Sequence, residues 1–277
     1  MRKFLTITFI TAFPLLPLLG QGEIDDQVHA LFRDESAFGV FLHSNGFGLN
    51  YRYGFYRDVR NQLLLDIDFA YVKHPKEVKT QVAYDYSTRR YVYGKENLFW
   101  ELKAAVGWQK ELYRKYDRNG ISVRWYYGGG ISLGFIKPIY YEVFNWPVEG
   151  EEITWEFKKF DTHFDQAQIG GRGPFFMGFD ELSLAAGLTG KSGLSFEYSR
   201  RDAVLHALEA GVGLTVYPKE IPIMGTDVQN NFLFFNLSIG YRFGRIKDIS
   251  EAARAKSRKE KREERKTRES PIPYPGY

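Results

Sequence analysis

The sequence predicts an all-β fold: a transmembrane antiparallel up-and-down β-barrel of about ten strands, with eight as the alternative, followed by a charged C-terminal helical tail. Three observations predict it. Segment after segment alternates apolar with small or polar residues at a period of two, which makes strands with one greasy and one wet face. Residues 1–22 have the parts of an export signal. Aromatic residues supply 17% of the chain, with 23 Phe and 19 Tyr beside 27 Gly, a profile that suits interfacial girdles and close strand packing. Downstream of the N-terminus no stretch reaches the ~18 consecutive apolar residues of a spanning helix. A mean hydropathy of −0.38 is no obstacle, because alternation hides the apolar content of barrel strands.

The export signal begins with Arg2 and Lys3. An apolar run from Phe4 to Leu19 follows, broken by Pro14 and Pro17, and Gly20-Gln21-Gly22 supplies small residues for a cut before Glu23. No Cys follows the run, so a lipoprotein is not expected, and with 0 Cys in the chain no disulfide framework can stiffen it. A closed, hydrogen-bonded barrel would supply that rigidity. Residues 23–35 form a lead-in, residues 36–245 the barrel, and residues 246–277 a basic tail. From Arg245 to Tyr277 there are 11 Lys/Arg against 6 Asp/Glu, so the basic pI belongs to the tail and the barrel itself is mildly acidic. Export combined with a lipid-facing barrel implies the outer membrane of a Gram-negative bacterium, with the tail in the periplasm and outer-membrane lipid around the wall.

Taken in order, residues 37–43 make a short first strand before the turn Ser44-Asn45-Gly46. Residues 47–56 place Phe47, Leu49, Tyr51, Tyr53 and Phe55 on one face and Gly48, Asn50, Arg52 and Gly54 on the other. Residues 63–72 alternate Leu63, Leu65, Ile67, Phe69 and Tyr71 against Leu64, Asp66, Asp68, Ala70 and Val72. Residues 74–97 are polar and Tyr-rich, and a further strand is expected within 82–93. The pattern resumes at 99–109, with Trp100, Leu102, Ala104, Val106 and Trp108 toward lipid. A charged turn at 115–120 leads to 121–136, where Gly128, Gly129 and Gly130 suggest a bend or a close approach.

Residues 137–179 read as the longest irregular segment. It carries Trp146, Trp155 and Gly170-Gly171-Arg172-Gly173-Pro174, and such long loops lie outside the cell in outer-membrane barrels. Residues 181–189 and 194–199 read as two strands joined by Gly190-Lys191-Ser192-Gly193. Residues 204–217 are another, 218–229 a Pro-containing connector, and 231–244 the closing strand. Its odd positions, Leu233 to Phe243, are an unbroken apolar row; its even positions are mostly small or polar. That makes nine strands, and since single-chain bacterial barrels use even numbers, the tenth is sought in 82–93.

If the apolar rows face lipid, the other rows fill the lumen. They present Arg52, Lys103, Arg124 and Arg242 beside Asp66, Asp68, Glu101, Glu197 and Glu209. An aqueous pore needs ~16–18 strands; at eight to ten these side chains should meet as a buried ionic network. A plugged barrel is expected.

His43-Ser44-Asn45-Gly46 is the one catalytic-looking string. It resembles the His-x-Ser-Asn pattern of outer-membrane phospholipases and lipid A deacylases, in which His and Ser stand two apart and share a face. Here they are adjacent, which sends them to opposite faces, and Ser-Asn-Gly is also an ordinary hairpin turn. The histidines (His29, His43, His74, His163 and His206) show no metal-ligand spacing. His163 lies near Asp161 and Asp165 in the long loop, a group that reads as a solvated polar loop, with cation binding as the alternative. Gly170-Gly171-Arg172-Gly173 lacks the strand–helix setting of a nucleotide loop and reads as flexible. No cofactor, metal or nucleic acid is expected. Residues 250–268 are helix formers without Gly or Pro, either a periplasmic helix that meets a partner or a frayed solvated tail.

Five strings resemble a group of small outer-membrane barrels of Bacteroidota without assigned activity. They are His43-Ser44-Asn45-Gly46-Phe47-Gly48, His74-Pro75-Lys76-Glu77, Tyr93-Gly94-Lys95-Glu96-Asn97, Leu133-Gly134-Phe135-Ile136-Lys137-Pro138 and Tyr217-Pro218-Lys219-Glu220-Ile221-Pro222-Ile223-Met224. The resemblance spans most of the mature chain and implies barrel and outer membrane, but carries no catalytic residue. The expected role is a non-enzymatic structural or accessory subunit of an envelope assembly or secretion complex. An envelope partner would meet it through the long loops or residues 246–277. A lipid-modifying enzyme and a narrow small-solute channel are the alternatives.

Overall fold

Alternation at this length leaves each strand one apolar and one polar face, and a sheet with such faces buries its polar row by curling shut. In the computed structural model, eight antiparallel strands do so. The structure describes residues 33–57, 60–80, 90–116, 120–145, 154–161, 166–200, 203–225 and 228–248. The strands are β1 (Arg33–His43), β2 (Gly46–Tyr56), β3 (Asn61–Val72), β4 (Lys79–Thr80), β5 (Tyr91–Val92), β6 (Asn97–Tyr113), β7 (Ser122–Pro138), β8 (Tyr140–Asn145), β9 (Thr154–Lys159), β10 (Ile169–Arg172), β11 (Ser183–Glu197), β12 (Val204–Val216) and β13 (Leu233–Asp248). The barrel runs β1-β2-β3-β6-β7-β11-β12-β13 and closes by pairing β13 with β1, from Arg33↔Asp248 to His43↔Ser238.

Of the two strand numbers expected, the alternative of eight holds and ten does not. Residues 181–189 and 194–199 are not two strands but one, β11, which runs straight through Gly190-Lys191-Ser192-Gly193. Of the two glycines there, Gly193 serves packing, while a Cβ on Gly190 would meet nothing closer than the Gly128 carbonyl at 3.9 Å. A Cβ on Gly193 would meet the Tyr126 hydroxyl, which points into the barrel. Ser192 faces out and accepts a hydrogen bond from the Trp125 indole at 3.0 Å. The described residues of the 82–93 region give no barrel strand either; β4 and β5 form a two-stranded ribbon outside the barrel, and residues 81–89 lie outside the described residues.

The described parts of residues 137–179 are likewise regular, since β10, β8 and β9 form a three-stranded antiparallel sheet. Gly170, Gly171 and Arg172 belong to its strand β10, where a Cβ on Gly170 would strike Trp155 and Phe144. Gly128 and Gly130 make a close approach without a bend: β7 is continuous, and a Cβ on Gly128 would come within 2.7 Å of the Val106 carbonyl. At both ends the barrel exceeds residues 36–245, starting at Arg33 and ending at Asp248. The export signal, the helical tail (249–277), Trp146, His163 and Asp165 lie outside the described residues.

The apolar rows form the outer surface. Leu42, Ile67, Ile131, Leu188, Leu237 and Ile239 are all more than half exposed, and no helix among the described residues is long and apolar enough to cross a membrane. The long connections β3–β6, β7–β11 and β12–β13 all leave from the end of the barrel opposite the two chain ends. The β12–β13 connection folds back over the mouth. Its Ile221 and Ile223 pack with Val72, Phe99, Tyr217 and Phe234 into a buried cluster. The Glu96 and Asn97 amides bind the Ile223 carbonyl at 3.0 and 3.2 Å. Each buried Ile contributes roughly 1.5–3 kcal/mol, so the plug is held by apolar burial and by backbone bonds together. A second cluster, Tyr91, Leu98, Ile139, Tyr141, Val143 and Ile169, seats the β4–β5 ribbon and the three-stranded sheet against Tyr71 and Trp100 on the outer side of the wall.

Candidate functional site

Every second residue of the barrel strands points inward, and these rows converge on a lumen too narrow to leave its charges in bulk water. Burying a charge is tolerable when an opposite charge meets it at hydrogen-bonding distance. Three such groups stack along the lumen.

In the middle group, neighbouring strands β2 and β3 set Arg52 opposite Asp66 and Asn50 opposite Asp68. Arg52 Nε donates to Asp66 at 2.6 Å and its Nη1 to Glu209 across the lumen at 2.9 Å. Glu209 also holds Arg242, at 2.6 Å. Lys191 reaches Asp66 at 3.2 Å and Asp68 at 2.6 Å, and Asn50 donates to Asp68. The Arg52 guanidinium lies 4.6 Å from the centre of the Tyr126 ring, a favourable contact of a cation with an aromatic face. A cavity of about 80 Å³ remains beside Asp68, Lys103, Lys191 and Arg242.

Toward the covered mouth, Glu101 is wholly buried, forms an ion pair with Lys103 at 2.7 Å and accepts from the Tyr217 hydroxyl at 2.9 Å; Ser132 bonds Tyr217 at 2.8 Å. Tyr217 therefore joins the apolar plug to the charged column. Toward the chain ends, Arg124 binds Glu35 at 2.9 Å and pairs with Glu197, which also accepts from Lys115 at 2.7 Å; the Tyr56 hydroxyl adds a 3.0 Å bond to Glu35.

The nine charged residues picked from the alternation thus all point inward, but into three groups rather than one. Arg52, Asp66, Glu209 and Arg242 meet one another. Glu101 meets Lys103, and Arg124 meets Glu197. Asp68 meets none of the four expected cations; its ammonium partner is Lys191. Lys191, Glu35 and Lys115 do not stand out in the sequence because their surroundings have the composition of a turn, a lead-in and a charged loop. Tyr126 and Tyr217 do not stand out because they carry no charge. For Lys191 a signal existed: Leu188 and Leu194 keep one phase across the supposed turn, which places Lys191 on the inner row.

His43 and Ser44 do not form a dyad. His43 turns inward, its Nδ1 accepting from the Asn45 amide at 3.3 Å. Ser44 lies in the turn, and its hydroxyl accepts from the Leu237 amide at 3.3 Å. Adjacency on a strand separates them, and no hydrogen bond joins them among the described residues. Nor do three His, Cys, Asp or Glu side chains converge among the described residues as a metal site would need. The arrangement can neutralise, rigidify and exclude; it presents no activated nucleophile.

No family model and no curated protein matches the chain by sequence. Among solved structures, the chain is similar to Ail, the attachment invasion locus protein of Yersinia pestis, at 9% identity and a TM-score of 0.39, covering 78% of this chain and 99% of that one. It is also similar to Neisserial surface protein A at 14% identity and a TM-score of 0.34, covering 76% and 95%. The N-terminal β-barrel domain of Pseudomonas aeruginosa OprF gives 8% identity and a TM-score of 0.33, covering 78% and 97%. At this degree of similarity none of their activities transfers to this chain.

Proposed function

We propose that the chain is an outer-membrane β-barrel acting as a non-conducting structural or accessory subunit of a cell-envelope assembly, kin to the Bacteroidota barrels its strings resemble. The observation that carries this reading is the lumen, closed twice. Paired charges span it from Glu35 to Glu101, and Ile221 and Ile223 seal the mouth above them. A pore or a substrate channel has no use for either closure. A barrel that serves as an anchor and a platform uses both, because they make a stiff cylinder without disulfides. The outer apolar rows suit a lipid setting. In this orientation the long connections form an outward cap, and both chain ends, with the basic residues beyond Asp248, face the periplasm.

The test is reconstitution of the purified full chain into planar bilayers. Insertion without unitary conductance is expected; reproducible single-channel steps would overturn the reading. Crosslinking in native membranes followed by pull-down tests the accessory role. A partner should be recovered with the full chain and lost when residues 249–277 or the cap connections are replaced. Recovery of the barrel alone in every case removes the role.

A further inference from the structure

Outside the wall, between the β4–β5 ribbon and the β8–β9–β10 sheet, lies a cavity of about 390 Å³. Among the described residues that line it, five are cations, Lys73, Lys79, Arg90, Lys95 and Arg172, and one is a carboxylate, Glu77. Glu77 is already engaged: it accepts from Lys95 at 2.6 Å and from the His74 amide at 2.9 Å. Lys95 is only 3% exposed and also donates to the Tyr71 hydroxyl at 3.0 Å. Burial lowers its pKa and nearby Arg172 adds to the depression, while Glu77 opposes them. Buried Lys95 and half-buried Arg172 share one counter-charge that is already spent, and with the three exposed cations around the cavity they offer a positive field to an entering anion.

The position of the cavity says which anion. Its lower edge is Phe47 and Tyr71, rings 5.7 Å apart on the lipid-facing side of β2 and β3. The aromatic rim continues from Tyr71 to Trp100 at 6.4 Å, and from Trp100 to Phe175 at 6.2 Å. Below that rim the wall is bare hydrocarbon: Leu49, Phe69 and Leu102 are exposed. Cations stand above aromatic rings, and aromatic rings above aliphatic side chains. This is the order of phosphate, interface and acyl chain in a lipid leaflet.

We propose that this cavity binds the phosphate group of an outer-leaflet lipid, whose acyl chains run down the wall past Phe69 and Leu49. The proposal rests on the membrane reading above and deepens it. A free phosphate would engage the cations but leave the aromatic and aliphatic surface unused.

The full chain is reconstituted into phosphatidylcholine vesicles containing diphosphorylated lipid A, extracted in mild detergent, and its bound lipid counted by native mass spectrometry. Retention of lipid A about tenfold over phosphatidylcholine is expected, equivalent to ~1.4 kcal/mol. Lys79→Glu/Arg90→Glu, at exposed positions, should abolish the preference, and Arg172→Gln should weaken it. Inorganic phosphate should not displace the lipid. Heat-modifiable electrophoretic mobility reports barrel formation separately. A variant that fails to form a barrel is set aside in favour of the other. If the wild-type chain inserts but retains lipid A no better than phosphatidylcholine, the site is refuted while the membrane reading stands. Equal retention by both folded variants, or full displacement by inorganic phosphate, also refutes it. If the wild-type chain does not insert, both fall.

Discussion

Glu209 is the residue on which the middle of the lumen turns, and Glu209→Gln is the sharpest perturbation. The wild-type carboxylate contacts Arg52 at 2.9 Å and Arg242 at 2.6 Å. At an effective dielectric of ~20 each contact is worth roughly 6 kcal/mol of gross attraction, most of it offset by desolvation of the three charges. The amide keeps the shape and removes the charge. Arg52 retains Asp66, whereas Arg242 loses the carboxylate that holds it while only 5% exposed. Breaking a buried pair from one side costs about 3–5 kcal/mol. The assay is reversible urea unfolding in phosphatidylcholine vesicles, followed by the fluorescence of the outward-facing Trp100, Trp108 and Trp125. Removing the stranded cation as well, in Glu209→Gln/Arg242→Met, should recover part of the loss, with a coupling of about 2–3 kcal/mol between the two sites. Additivity within ~0.5 kcal/mol would refute the reasoning, since it would mean that the two charges are solvated independently.

Three other expectations use the same assay or a spectrum. Tyr217→Phe deletes the hydroxyl that reaches Glu101 and Ser132 and should destabilise the barrel by about 1–3 kcal/mol. Gly211→Ala drives a Cβ to 2.5 Å from the Tyr126 hydroxyl and should cost about 1–3 kcal/mol, with Tyr126→Leu in the same chain restoring most of it; absence of rescue would place the strain elsewhere. His74 is buried, and its Nδ1 accepts from the Lys76 amide at 3.2 Å. Burial lowers its pKa below the ordinary ~6.5. The folded turn therefore binds its proton less readily than the unfolded chain. Its contribution to stability is full above the ordinary value and falls as the pH drops through the window down to the folded value. The Lys76 amide resonance should shift over that window in the wild-type chain and stay put in His74→Phe.

Strand faces were legible in the sequence wherever alternation ran unbroken. The row from Leu233 to Phe243 and the row from Leu63 to Tyr71 appear on the outer wall where their spacing puts them. Strand number was not, because a local turn signal competed with phase. Gly-Lys-Ser-Gly has the composition of a hairpin turn, yet Gly193 is there to clear Tyr126, a side chain about seventy residues earlier whose nearness shows only once β7 and β11 are paired. The same limit hid three members of the charged column, Lys191, Glu35 and Lys115. Arg52 opposite Asp66 follows from neighbouring strands, while Lys191 on Asp68 needs the barrel to close. The lipid-side cavity was invisible for the same reason: its cations come from four separate segments, and only the docking of the β4–β5 ribbon beside β10 gathers them.

The pairing of β1 with β13 has a consequence for how the protein comes into being. Seven of the eight seams join barrel strands that follow one another along the chain, but the last joins Arg33 to Asp248, near the two ends of the described barrel. Until that seam forms, Glu209 and Arg242 lie far along the chain from Arg52, so the column can be completed only late. The entropy of bringing distant ends together grows slowly with length, and the reward for it arrives all at once. Assembly should accordingly be slow and all-or-none, with membrane entry and seam closure as one event. A chain stalled before it would present unpaired strand edges and half-neutralised charges, a state to be kept from aggregating rather than a working intermediate.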